Sequence, residues 1–118
     1  MKIEQLLERI IREGASDGFI AADAPPSIKV DGQIYPVTER PLSEAEAREL
    51  VLSTMNESQE REFTEHNECN YALATEDMGR FRASAFVQRG RCGLVVRRIN
   101  TEIPSIEGLG LPPIIKEL

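Results

Sequence analysis

Six arginines fall between Gly79 and Ile99 in a chain whose net charge is −6. Arg80, Arg82, Arg89, Arg91, Arg97 and Arg98 are more than half of all its arginines. The nearest carboxylates in sequence are Asp77 and Glu102, so the stretch itself is purely cationic. Taking these six away leaves eight basic side chains against twenty acidic ones. Guanidinium groups stay charged under all relevant conditions and grip phosphate oxygens two at a time. A run of them without carboxylates argues against internal salt bridges as its purpose. Spacing alone leaves three readings open: answering acidic surfaces of the same domain, binding phosphate or another polyanion, or docking an acidic partner. Nucleic acid is not expected, because single-strand readers interleave stacking aromatics and this stretch offers only Phe81 and Phe86.

Other chemistries find little support. The one histidine, His66, stands near Glu65, Glu68 and Cys69, short of the three or four converging ligands of a zinc or iron site. It is expected to be a solvated helix-end residue. A lone histidine also offers no nucleophile–base–orienter arrangement. "GLGLPP" lacks the spacing and the lysine of a phosphate loop. Cys69 and Cys92 form no C-x-x-C pair, so neither a disulfide framework nor a zinc site is suggested, and a reducing cytoplasm is expected. With 41% apolar and 29% charged residues over 118 positions, the chain reads as one globular domain. No apolar run approaches the length of a membrane helix, so direct membrane insertion is not expected.

The elements that must carry the arginines follow from periodicity. Ile3, Leu6, Leu7, Ile10 and Ile11 mark one face of a helix over 2–13, capped by Gly14. Phe19-Ile20-Ala21 reads as a short strand, and 28–37 as a hairpin turning at Asp31-Gly32. Ser43 and Glu46 form a capping box that opens a helix over 44–55; Asn56 and Gln59 open another over 57–65. After His66 the period changes to two. Cys69, Tyr71 and Leu73 share one face, as do Phe81, Ala83, Ala85 and Val87. A last strand, 94–99, completes a three-stranded meander. Arg80 and Arg82 then share a strand face, Arg89 and Arg91 sit at the hairpin tip, and Arg97 and Arg98 point to opposite faces. The expected fold is α+β: a PAS-like antiparallel sheet with helices packed on one side, over residues 1–103. Residues 104–118, with Pro104, Gly108, Gly110, Pro112 and Pro113, read as a linker and the start of a truncated helix, before a further domain.

"GASDGFIAADAPPSIKVDGQIYPV", "MNESQEREFTEHNECNYAL" and "GRFRASAFVQRGRCGLVVRRINTEIPSIEGLGLPPII", in that order, resemble the N-terminal domain of type IV pilus retraction ATPases. These form the PilT/PilU family of the secretion-ATPase superfamily, and "HNECNYAL" tilts the resemblance towards the PilU kind. The resemblance implies a PAS-like domain joined by a linker to a RecA-like motor domain in a hexameric ring, working in pilus retraction and twitching motility. It implies ATP and Mg for the full-length protein and none for this fragment, which lacks Walker motifs and should be inactive alone. It implies that Arg82 (in "FRAS") and Arg97 (in "LVVRRI") face the phosphates, with Arg98 an alternative to Arg97. Arg80, Arg89, Arg91 and Arg98 are left as interface residues. The implied partners are RecA-like domains of the same and neighbouring subunits, a sister retraction ATPase and the inner-membrane platform protein. The implied location is cytoplasmic, peripheral to the inner membrane. The family pattern is broken at Ser16-Asp17-Gly18-Phe19, where PilT-type members usually carry "SDLH". Set against the resemblance is a stand-alone PAS-like interaction or ligand-sensing module with a basic docking hairpin.

Overall fold

The computed structural model of the protein describes residues 1–75 and 78–99. The elements run α1 (Ile3–Glu13), β1 (Asp17–Ala21), β2 (Ser27–Val30), β3 (Gln33–Pro36), α2 (Glu44–Leu52), α3 (Glu57–His66), β4 (Glu68–Thr75), β5 (Gly79–Gln88) and β6 (Arg91–Ile99). All six strands join one antiparallel sheet in the order β3-β2-β1-β6-β5-β4. The expected α+β class and the closing meander are both present. The expected linker lies outside the described residues.

The helix ends follow local chemistry. Gly14 takes a left-handed φ of 69°, and the Ala15 amide reaches back to the Ile10 carbonyl at 2.9 Å. At α2 the Ser43 hydroxyl accepts the Glu46 amide at 3.1 Å, and the Glu46 carboxylate accepts the Ser43 amide at 2.9 Å. Asn56 and Gln59 repeat that exchange at α3. One boundary differs from expectation: α2 ends at Leu52, three residues short of Met55. The Ser53 and Thr54 hydroxyls donate to the Leu50 and Val51 carbonyls at 2.6 and 2.7 Å, offering the backbone an alternative to further helix. Both two-residue hairpin turns use positive φ at both central positions, Asp31-Gly32 and Arg89-Gly90. Because the second turn is so tight, β6 begins at Arg91 rather than Leu94.

Alternation divides the sheet into two unlike faces. Gly18, Ile20, Ile28, Tyr71, Phe81, Ala83, Ala85, Leu94 and Val96 lie beneath the helices. There Leu6, Leu7, Ile10, Val51 and Phe63 complete the core. Each such large side chain contributes about 1.5–3 kcal/mol on burial. Tyr71 keeps its hydroxyl satisfied against Thr54, and burial pushes its pKa up to about 12.

The packing at Gly18 accounts for the missing leucine of the "SDLH" pattern. A Cβ at this position would sit 2.8 Å from Ile10 Cδ1 and 3.3 Å from Leu6 Cδ2, so α1 lies directly on the β1 backbone. In this chain the bulk on α1 takes the space that a larger residue at position 18 would need. Gly18→Leu is expected to lower stability by about 1–3 kcal/mol through overpacking. Urea denaturation of the 118-residue chain checks this, and an unchanged midpoint would mean that α1 accommodates the side chain.

Candidate functional site on the helix-free face

Cross-strand partners share a face, so the register decides which arginines meet. Arg82 pairs with Arg97 across β5 and β6, Arg97 with Asp17 across β6 and β1, and Asp17 with Lys29 across β1 and β2. These residues form one row across the face that no helix covers. Arg80 stands on the same face beside Ile99. Arg98 pairs with Phe81 and belongs to the opposite, helix-bearing face, although it is exposed at the sheet end. Arg97 is thus the member of the pair that joins Arg82.

Between this row and the hairpin tip the helix-free face is apolar and half-buried. Phe19 faces Val95, and Phe86 faces Gly93. A Cβ on Gly93 would lie 2.6 Å from Phe86 Cζ, so the ring occupies the space over the glycine. The composition of the arginine stretch hinted at Phe86 only as an aromatic; its seat on Gly93 needs the register.

The expectation that the arginines lack internal carboxylate partners is corrected. Arg97 Nε donates to Asp17 Oδ1 at 3.0 Å, and Arg91 pairs with Asp23. Both partners lie more than sixty residues away in the chain, out of reach of any reading of neighbouring positions. Arg80, Arg82, Arg89 and Arg98 form no ion pair among the described residues. His66 sits exposed at the end of α3 with Glu65 at 3.6 Å. Among the described residues no group of His, Cys, Asp and Glu could hold a metal ion.

Asp17 is the functional-face residue that the sequence analysis missed. It is the buried charged side chain among the described residues, 5% exposed, whereas the Arg97 side chain is 71% exposed. The Ser16 hydroxyl donates to its second oxygen at 2.8 Å. Burial alone would raise its pKa. The hydrogen bonds from Arg97 and Ser16, with the charges of Arg97 and Lys29, outweigh that and hold the carboxyl below its ordinary value. Asp17 therefore stabilises the fold above the ordinary carboxylate range, and that contribution is lost as pH falls through the lowered value. The one hint in the sequence was a carboxylate at the start of a strand otherwise destined for the core.

The described residues thus form a six-stranded antiparallel sheet with helices over one face and cross-strand neighbouring arginines on the other. No protein-family model matches the chain. A crystal structure of the pilus retraction motor PilT with bound ADP superposes with a TM-score of 0.82 at 34% identity, over 95% of this chain and 33% of that one. The type IV pilus ATPase PilU of Pseudomonas aeruginosa is 52% identical over all 118 residues, which make up 31% of its length. The type IV pilus retraction ATPase PilT of the same organism is 32% identical over 118 residues, 34% of its length. Over the residues in hand the chain belongs to the PilT/PilU family of type IV pilus ATPases, as the N-terminal domain. It spans about a third of the length of the curated relatives it matches.

At the tip, Arg89 holds a φ of 56°, a region that costs an L-residue other than Asn, Asp or Gly roughly 1 kcal/mol. Arg89→Asn keeps the turn and relieves that cost, so the melting temperature of the chain is expected to rise by a few degrees. A lower melting temperature would show that the arginine makes a stabilising contact there.

Proposed function

We propose that this domain serves a type IV pilus retraction ATPase, packing against RecA-like motor domains in a hexameric ring and supplying Arg82 and Arg97 to the nucleotide cleft. The observation that carries this reading is the direct cross-strand pairing of Arg82 with Arg97, both exposed on the helix-free face. Two adjacent guanidinium groups suit a polyphosphate, which offers several anionic oxygens within a few ångströms. ATP with Mg is the cofactor of the full-length protein in this reading, and the metal's ligands come from the RecA-like domain. When bound, the nucleotide supplies a phosphoryl group on which negative charge shifts as the bond to its leaving oxygen breaks.

The residues of this chain act on that charge by position. Arg82 and Arg97 are mounted on rigid strands rather than loops, so closing the domain onto the motor delivers both together. Charge stabilisation preorganised in a closing cleft is worth most where water is excluded. The half-buried apolar patch of Phe19, Phe86 and Val95 beside the row favours such exclusion. Arg80, Arg89, Arg91 and Arg98 lie outside the row's centre and are assigned to contacts with neighbouring subunits or partner proteins. A sister retraction ATPase and the inner-membrane platform protein are the partners proposed, and the location is cytoplasmic, peripheral to the membrane. No helix among the described residues is long and apolar enough to cross a membrane.

The test is ATP turnover by full-length hexamers. Arg82→Ala is expected to lower kcat at least about a hundredfold, the effect of losing a transition-state charge contact of about 3 kcal/mol. Its fold should be untouched, because an exposed arginine on a sheet surface contributes little to stability. Arg97→Ala should match the loss in turnover but also destabilise the domain by about 1–3 kcal/mol, since it leaves Asp17 buried without its partner. Arg97→Gln, which can still donate to Asp17, separates the two effects. Arg89→Ala serves as the control, altering partner affinity and its salt dependence more than turnover. Wild-type hydrolysis by folded Arg82→Ala and Arg97→Gln hexamers would overturn the assignment.

A further inference from the structure

We infer that Asp17, oriented by Ser16, is a positioning residue for Arg97: it holds one edge of the guanidinium group and leaves the other edge to face the ligand. The inference rests on the phosphate-binding reading of Arg97 given above and assigns a role to a residue that makes no contact with the ligand itself.

Three observations carry it. The first is the edge that is used. Asp17 Oδ1 accepts from Nε at 3.0 Å, and no other side-chain hydrogen bond engages Arg97 among the described residues. The two terminal nitrogens thus keep their fork of donors for two oxygens of one phosphate. The second is the like-charge register. Arg82 and Arg97 are direct cross-strand partners, an arrangement that is repulsive when nothing intervenes. Asp17 stands on the other side of Arg97 and draws its guanidinium towards β1, which separates the two cations and sets the gap between them.

The third is burial. Asp17 is 5% exposed, and a buried carboxylate costs free energy that an apolar residue at the same place would not. Its orientation is secured on every side. Ser16 donates to Oδ2 at 2.8 Å, and the Ser16 backbone is itself tied down: its amide donates to the Lys29 carbonyl at 2.9 Å, and its carbonyl accepts the Arg98 amide at 3.2 Å. Lys29, the neighbour across β2, adds the second cation beside the carboxylate. The groups facing Asp17 are therefore Ser16, Lys29 and Arg97. A carboxylate held by two hydrogen bonds beside a second cation, at the start of a strand, is a bracket of fixed geometry, and a guanidinium group held by its Nε edge loses the freedom to swing.

The experiment uses full-length hexamers and measures ATP turnover with thermal melts beside it. Asp17→Ala is expected to lower kcat about tenfold to a hundredfold with a smaller change in KM, the range for losing a group that orients a functional ligand. In an Arg97→Ala background the same substitution should cost nothing further, because a residue that acts through Arg97 has nothing left to orient. Free guanidinium ion at millimolar concentration supplies a readout that a structural role would not move. It should restore about tenfold of the turnover of Arg97→Ala hexamers, but not of hexamers that also carry Asp17→Ala. Where Asp17→Ala melts too low to assemble, Asp17→Asn keeps the shape and the acceptor oxygen, and the same rescue comparison is made with it, expecting a weaker rescue. Equal rescue with and without the Asp17 carboxylate overturns the inference, as does a further loss in the double variant equal to that of Asp17→Ala alone. Full activity of Arg97→Ala would instead overturn the phosphate reading on which it rests, so the two failures are distinguishable.

Discussion

The antiparallel pairing of β1 with β6 is the constraint on which the rest of this domain depends. Without it, a small N-terminal hairpin sheet and a C-terminal meander would each have to bury their own apolar face, and neither is large enough to do so well. Joined at β1 and β6, they make one sheet broad enough to carry all three helices. The register is held by what lies beneath. Gly18 opposite Val96 and Ile20 opposite Leu94 face the core, and Gly18 is tight against Ile10 and Leu6. A slip of one residue would drive Asp17 into that apolar layer and turn Ile20 out to solvent. The packing of α1 therefore fixes the same register that brings Asp17 to Arg97, eighty residues apart in the chain.

This coupling of core to face gives the domain its polarity. All the long apolar side chains of the helices are committed to one face, so the other is free to specialise. It concentrates cations in a chain that is otherwise strongly acidic, and the acidic helices lie on the far side of the sheet. Such a separation creates a local field on the bare face that the net charge of the whole chain conceals. The half-buried aromatics beside the arginines add a low-dielectric wall, and charges next to such a wall act more strongly on a ligand than charges in open water.

The same arrangement separates the arginines into kinds that their chemistry alone does not distinguish. Arg97 is clamped by a buried carboxylate, Arg91 answers an acidic neighbour near the hairpin tip, Arg89 occupies a strained turn position, and Arg82 is exposed on the row. Identical side chains within one short stretch are thus a held group, a surface pair, a turn residue and, among the described residues, a cation without an ion pair. Of the three readings that spacing left open, pairing within the domain holds for two of the six among the described residues.

The helices, the Asp31-Gly32 hairpin and the closing meander were legible in the sequence because their causes are local. Capping boxes act over three residues, turn geometry over two, and the switch from a period of 3.6 to one of two is visible in any short window. The two-faced character of β5 and the sharing of a face by Arg80 and Arg82 followed from the same alternation. Even the end of α2 had a local cause, the two hydroxyls at Ser53 and Thr54, although periodicity carried the helix past them. What only the tertiary structure decided is everything that depends on which strands lie side by side: that Arg97 rather than Arg98 stands opposite Arg82, that Gly18 is the space into which α1 sinks, that Phe86 covers Gly93, and that Asp17 is buried against Arg97. Strand alternation tells which residues share a face of one strand. It carries no information about the register between strands far apart in the chain, because that register is chosen by burial of the common core.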